Sequence, residues 1–287
     1  MKFNIIDHIR EAGSADNTKP NDDWIGFDDR VAVVADGATG LADERLVNET
    51  DSDAQWIAKF GVEHFLNGRA DDPVRELVRE VNTHALAHVS LGTNKIDAPR
   101  YAWPTASFIM ARLQNDLLEI SGLGDCVAYI EMSDGYIERF SALPNNRERE
   151  RISAQGDVSH NAQHKEVIRS PEIIAKLRQK RNLSNTPASG VWTLGLVPEA
   201  ADHVLTVALP LPEIKTVLLM SDGFSAVSES YNLYNQDGLI EAIRTKGIAQ
   251  IQAEIRRVER LIDPTAVQFP RYKQSDDSSA ILLEIGK

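Results

Sequence analysis

The sequence predicts an α+β fold in which antiparallel sheets stack on one another and helices lie outside them. Two observations carry this. Apolar, β-branched runs come in consecutive groups split by turn residues, at 106–113, 117–121, 127–132 and 136–140. Helical periodicities come in separate blocks rather than alternating one for one with strands, which argues against a doubly wound parallel sheet. With 287 residues, the chain is read as one domain, 1–287, carrying an insertion at 141–190.

The elements follow in order. Val31-Ala32-Val33-Val34-Ala35 is a short apolar strand ending at Asp36-Gly37. A first helix is expected from Thr50 or Asp51, either a good N-cap, with Ala54, Ile57, Ala58, Val62 and Phe65 on one face. A second opens at Asp72-Pro73 and carries Val74, Leu77, Val78, Val81, Ala85 and Val89. The strand group follows, with turns at Gln114-Asn115-Asp116 and Ser133-Asp134-Gly135. Residues 141–190 are polar, with charge clusters at 147–151 and 176–181 and a helix opening at Ser170-Pro171-Glu172; this reads as a flap on the main body. Strands resume at 204–209 and 216–220, a helical region broken near Gly247 covers 239–261, and a last strand spans 279–285.

Apolar residues make up 42% and charged residues 26%, which excludes a disordered or fibrous chain. Acids outnumber bases, 43 to 31, for a net charge of −12. Such a surface repels polyanions, so no nucleic-acid partner is expected. No apolar run is long enough to cross a bilayer, so no membrane partner is expected either. A lone cysteine, Cys126, rules out an internal disulfide, suits a cytoplasmic setting and reads as a buried structural thiol.

Aspartates recur at or beside strand ends: Asp36, Asp125, Asp222 and Asp276, with Asp22-Asp23 ahead of Trp24-Ile25-Gly26-Phe27. Singly, each reads as a turn residue. Brought to a common sheet edge, they would repel one another unless a cation sat among them. An all-oxygen donor set selects a hard ion, Mg²⁺ or Mn²⁺.

The motifs Asn21-Asp22-Asp23, Val34-Ala35-Asp36-Gly37-Ala38-Thr39-Gly40, Gly122-Leu123-Gly124-Asp125-Cys126, Ser221-Asp222-Gly223-Phe224 and Asp276-Asp277-Ser278-Ser279-Ala280 stand in an order that resembles the metal-dependent protein phosphatases of type 2C, over nearly the whole chain. The resemblance implies a four-layer α-β-β-α sandwich of two antiparallel sheets flanked by helix pairs, with a flap before the Ser-Asp-Gly motif. It implies that Asp36 bridges two Mn²⁺ or Mg²⁺ ions and that the Gly37 carbonyl binds one of them. Asp222 and Asp276 would complete the other site; Asp23 with Asp22 would hold the shell through waters; Asp125 matches a position linked to a third, weaker ion. Asp36, Asp222 and Asp276 are thus the expected catalytic set. A hydroxide generated between the ions would attack phosphorus in line, with no phosphorylated side chain.

The chain also departs from that pattern. The Arg expected five residues before Asp23 is Thr18. Lys19 is the candidate phosphate contact in its place, though a point charge lacks the bidentate fork of arginine, and Arg10 is nearby in sequence. Ala38 stands where some members carry a proton-donating His, Asp277 where Asn is usual, and Trp103-Pro104-Thr105-Ala106 replaces a small-residue motif.

Other features carry no site. His84/His88 and His160/His164 share the spacing of four but lack a third ligand. Gly122-x-Gly124 has no third glycine, Trp24, Trp56, Trp103 and Trp192 read as packing, and the basic run 176–181 reads as a solvated helix face.

The first functional reading is therefore hydrolysis of phosphoserine or phosphothreonine in a phosphorylated protein. One alternative is a non-catalytic, regulatory relative that binds metal or a phospholigand. The other is a phosphatase of a small phosphorylated metabolite. Oligomeric state has no sequence signal here.

Overall fold

A computed structural model describes residues 1–15, 18–47, 49–69, 71–93, 97–144, 146–160 and 170–286. One antiparallel sheet orders β2 (Trp24–Phe27), β3 (Val31–Gly37), β4 (Ala106–Gln114), β5 (Leu117–Leu123) and β8 (Leu205–Pro210). The other orders β1 (Lys2–Glu11), β10 (Ser278–Gly286), β9 (Ile214–Met220), β6 (Val127–Met132) and β7 (Ile137–Phe140). The sheets pack face to face, as alternate residues of β3, β4, β9 and β10 demand. Ala32, Val34, Ile109, Ala111, Leu219 and Ile281 bury one face in the inter-sheet core, together with Cys126. Val33, Ala35, Phe108 and Met110 point the other way, onto α1 (Asp53–Asn67) and α2 (Val74–Thr93). On the far side Leu218, Met220, Ala280 and Leu282 meet α5 (Asp222–Glu229), α6 (Gln236–Lys246) and α7 (Ile248–Arg257). Three apolar interfaces make four layers, the expected α-β-β-α sandwich.

The structure adds elements the periodicity did not indicate. β1 is one. A register shift between Ile5 and Asp7 reverses its alternation, with Phe3 and Ile5 on the inter-sheet core, Ile9 on the helix layer and Ile6 44% exposed. The shift and the charge at Asp7 hide the period. Asp7 suits the helix side because its carboxylate accepts the Ile248 N–H at 2.8 Å, capping α7. β2 is too short to show a period, and α5 opens on Asp222-Gly223, a pair that by itself reads as a turn. The first helix is capped by Ser52, one residue after Asp51 and two after Thr50, and its Oγ accepts the Gln55 N–H at 2.9 Å. The break at Gly247 is present, with φ of 82°.

Within 141–190 the described helices are α3 (Asn146–His160) and α4 (Pro171–Asn182). The basic run on α4 is not simply a solvated face. Arg178 Nε donates to the Leu41 carbonyl at 2.8 Å and its Nη2 pairs with Asp43, while Arg181 reaches the Ala38 carbonyl at 3.4 Å. These side chains dock α4 on the loop after β3. His88 pairs with Glu49 at 2.9 Å and His64 with Glu80 at 3.1 Å; His164 lies outside the described residues.

Leu219 is fully buried between Ala128 and Ile281 in the register of its neighbours. Leu219→Ala should cost about 2–5 kcal/mol, read as a lower urea midpoint; a shift within error would mean that the inter-sheet core is not packed as described.

Candidate metal centre

Strand pairing alone brings the aspartates to one edge of the sandwich. Trp24 pairs with Ala35, which sets Asp23, one residue before β2, beside Asp36 near the end of β3. Ser107 pairs with Asp36 and Ala106 with Gly37. In the other sheet Met220 pairs with both Ala280 and Val127. Asp222 follows β9, Asp276 precedes β10, and Asp125 precedes β6 at that same edge. Two reciprocal bonds align the last pair: Ser221 N–H to the Ser279 carbonyl and Ser279 N–H to Ser221 Oγ, both 2.9 Å.

Close backbone approach requires glycine at two points. A Cβ on Gly37 would meet the Asp22 carbonyl at 2.5 Å and the Ala54 carbonyl at 2.6 Å. One on Gly223 would meet the Asp277 carbonyl at 1.9 Å. The Asp-Gly pairs thus let the loops close over the cluster.

Asp23 is 0% exposed, and neither carboxylate oxygen has a hydrogen-bond partner. The buried Ser279 hydroxyl is unpartnered too. Burial pushes the Asp23 pKa well above the ordinary carboxylate range and Asp277 adds to this; the hydroxyls of Ser279 and Ser221 lie close enough to pull weakly the other way. Asp36 is also pushed up, by burial first and then by the charges of Asp23, Asp222, Asp125 and Asp276. Asp22 rises to about 6, chiefly through burial, although the Ser52 hydroxyl that donates to it favours its charged form. The predicted ligands therefore feel one another as a single cluster.

Some of these carboxylates are already held. Asp125 accepts from Ser107 Oγ on one oxygen and Asn146 Nδ2 on the other, both at 2.7 Å. Asp276 is paired with Lys273 at 2.6 Å. Asp277 accepts the Gly13 N–H at 2.8 Å and the Asp22 N–H at 2.7 Å, tying the loop before β2 to the start of β10. Of the candidate phosphate contacts, Lys19 is exposed on the loop before β2. Arg10 commits its guanidinium to the carbonyls of Asp23 (2.6 Å) and Asn21 (3.0 Å) and lies 4.1 Å over the Trp24 ring. Lys273 and the loop-tying role of Asp277 escaped the sequence reading. A basic residue three positions before a ligand-type aspartate was the available signal.

The donor set fits a hard divalent cation. It is all oxygen, half-buried, mutually repulsive, and includes a fully buried carboxylate with both oxygens orphaned. Among the described residues no three acidic, histidine or cysteine side chains stand ready-made around an ion, so the fit is one of chemistry and position.

A carboxyl whose pKa is higher folded than unfolded binds its proton more tightly in the native state. Stability then rises as pH falls through that window. With Asp22 at about 6 against about 4 unfolded, and Asp23 and Asp36 also raised, the chelator-treated protein should resist urea better at about pH 5 than at about pH 7.5. Asp22→Asn should flatten that gradient. A wild-type midpoint that rises with pH would contradict the shifts.

No family model matches the chain, and no curated protein matches its sequence. Solved structures match over its full length. The serine/threonine phosphatase PstP/Ppp of Mycobacterium tuberculosis is 12% identical with a TM-score of 0.54, covering 100% of both chains. Stp1 of Staphylococcus aureus is 13% identical with a TM-score of 0.52, covering 99% of this chain and 96% of its own. PppA of Pseudomonas aeruginosa, described as a regulatory component of a type VI secretion system, is 13% identical with a TM-score of 0.55, covering 99% and 98%. The chain thus has the fold of the bacterial serine/threonine phosphatases.

Proposed function

We propose that this chain is a metal-dependent phosphomonoester hydrolase acting on phosphoserine or phosphothreonine in proteins. The observation that carries the reading is the gathering of the motif aspartates at one sheet edge around Asp23, whose carboxylate is buried without a partner. The fold is shared with serine/threonine phosphatases, and the catalytic domain of PstP, 12% identical with a TM-score of 0.53, was solved in complex with two manganese ions.

Asp36, the Gly37 carbonyl, Asp222 and Asp276 would hold two Mn²⁺ or Mg²⁺ ions, with Asp23 and Asp22 behind them and Asp125 at a third position. Bound there, the ions would lower the pKa of a water and offset charge on the phosphoryl oxygens. Asp23 would fix the orientation of the shell from the dry side, since its loop is locked by Asp277 and Arg10. Lys19 would meet the outer phosphoryl oxygens. The buried Cys126 thiol, its pKa pushed well up by burial and then by Asp36, is no nucleophile.

A second reading rests on Arg10. Because its fork is spent on backbone carbonyls, phosphate would be held more weakly, as a regulatory relative that binds metal or a phospholigand would permit.

The test is p-nitrophenyl phosphate hydrolysis with Mn²⁺, with Mg²⁺ and with excess chelator. Activity stimulated by metal, lost with chelator and lowered at least about 10³-fold in Asp36→Ala and in Asp222→Ala is expected. Full activity in either variant would overturn the reading. Metal binding without turnover on any phosphoester would select the regulatory one. Phosphopeptides tested against phosphorylated metabolites then separate the two substrate classes.

A further inference from the structure

The acidic cluster already contains a cation supplied by the chain. Lys273 Nζ donates to Asp276 Oδ1 at 2.6 Å, and the same oxygen accepts the Asp277 N–H at 2.9 Å. The ammonium also feels the charges of Asp277 and Asp222, and it bears on Asp22 from the other side of the loop. The Lys273 side chain is 29% exposed, so a path to solvent exists.

The loop that carries Lys273 is anchored up to the residue before it. Asp263 accepts the N–H groups of Val267 and Phe269, at 2.9 Å each, and the Arg271 guanidinium at 2.9 Å. Tyr272 packs on Ile173 and Leu177 of α4, and its hydroxyl bonds Ser153 Oγ of α3 at 2.7 Å. An anchored side chain keeps its ammonium at high effective concentration beside Asp276, as a tether does for any intramolecular ligand.

We propose that Lys273 is a tethered counter-cation of the cluster, competing with a divalent metal for Asp276 and yielding it when the metal arrives. The proposal rests on the metal-binding part of the reading above and not on turnover. A divalent ion held by Asp222 and Asp276 would stand close to the ammonium and repel it, so loading favours a Lys273 side chain turned away from Asp276. The chain thereby avoids bare carboxylates before loading and sets a threshold on metal affinity.

Mn²⁺ titration by calorimetry on metal-stripped protein tests this, with no activity readout. Lys273→Met should bind Mn²⁺ about tenfold or more tightly than wild type, the scale set by loss of a partly buried charge pair. Its metal-free form should melt lower and gain more from saturating Mn²⁺. Lys273→Arg, which keeps a cation, should stay within about threefold of wild type. Lys246→Met removes the same charge from α6, where Lys246 pairs with Glu254, and should leave affinity unchanged. Unchanged or weaker Mn²⁺ binding in Lys273→Met overturns the proposal, as does an equal gain in Lys246→Met. Should Lys273→Met not fold, Lys273→Gln is read by the same criteria. No Mn²⁺ binding by any of these proteins overturns both this proposal and the metal centre. Mn²⁺ binding with the expected variant pattern but no phosphoester turnover supports this proposal and removes only the hydrolase.

Discussion

Like-charge repulsion among buried carboxylates is the constraint around which the rest of this molecule is arranged. Asp22, Asp23, Asp36 and Asp277 all have pKa values raised first by burial, with the charges of neighbouring carboxylates adding to it. A cluster of that kind opens the structure unless its charges are met locally. Backbone N–H groups meet Asp277, a helix-cap serine meets Asp22, and an amide and a hydroxyl meet Asp125. Asp23, fully buried, has no hydrogen-bond partner on either oxygen. The compensation is thus graded, from the held carboxylates to Asp23.

The sandwich makes such a cluster affordable because its two sheets are rigid and its edge is narrow. Each sheet is locked by an apolar layer on both faces, so residues at the strand ends cannot move apart to relieve repulsion without breaking ladder bonds. The four layers supply the mechanical resistance and the short loops supply the charges. The candidate carboxylates of this fold are concentrated where the ladders stop.

Much of this was legible in the sequence, and the reasons for the gaps are physical. Central strands such as β3 and β9 are apolar on both faces because both are covered, and such runs stand out by composition. The edge strand β1 was hidden because its register shifts between Ile5 and Asp7, which breaks the period of two, and because a charged residue, Asp7, caps α7 from it. Helix α5 was hidden because its first turn is the Asp222-Gly223 pair, which locally reads as a turn. The candidate ligands were visible because each sits beside a strand end in a recognisable order. The groups that restrain them were not, since Ser52, Asn146, Lys273 and Asp277 are selected by distance in three dimensions and have no spacing rule.

The docking of α4 on the loop after β3 has a consequence for divergence. Arg178 and Arg181 hold that loop mainly through the carbonyls of Leu41 and Ala38. Every residue type presents a carbonyl. Side chains at 38–42 can therefore drift while the attachment persists, provided the two arginines and Asp43 remain. A rim built on backbone acceptors lets its chemistry be rewritten without rebuilding its frame. The surface of such a rim can change at little structural risk.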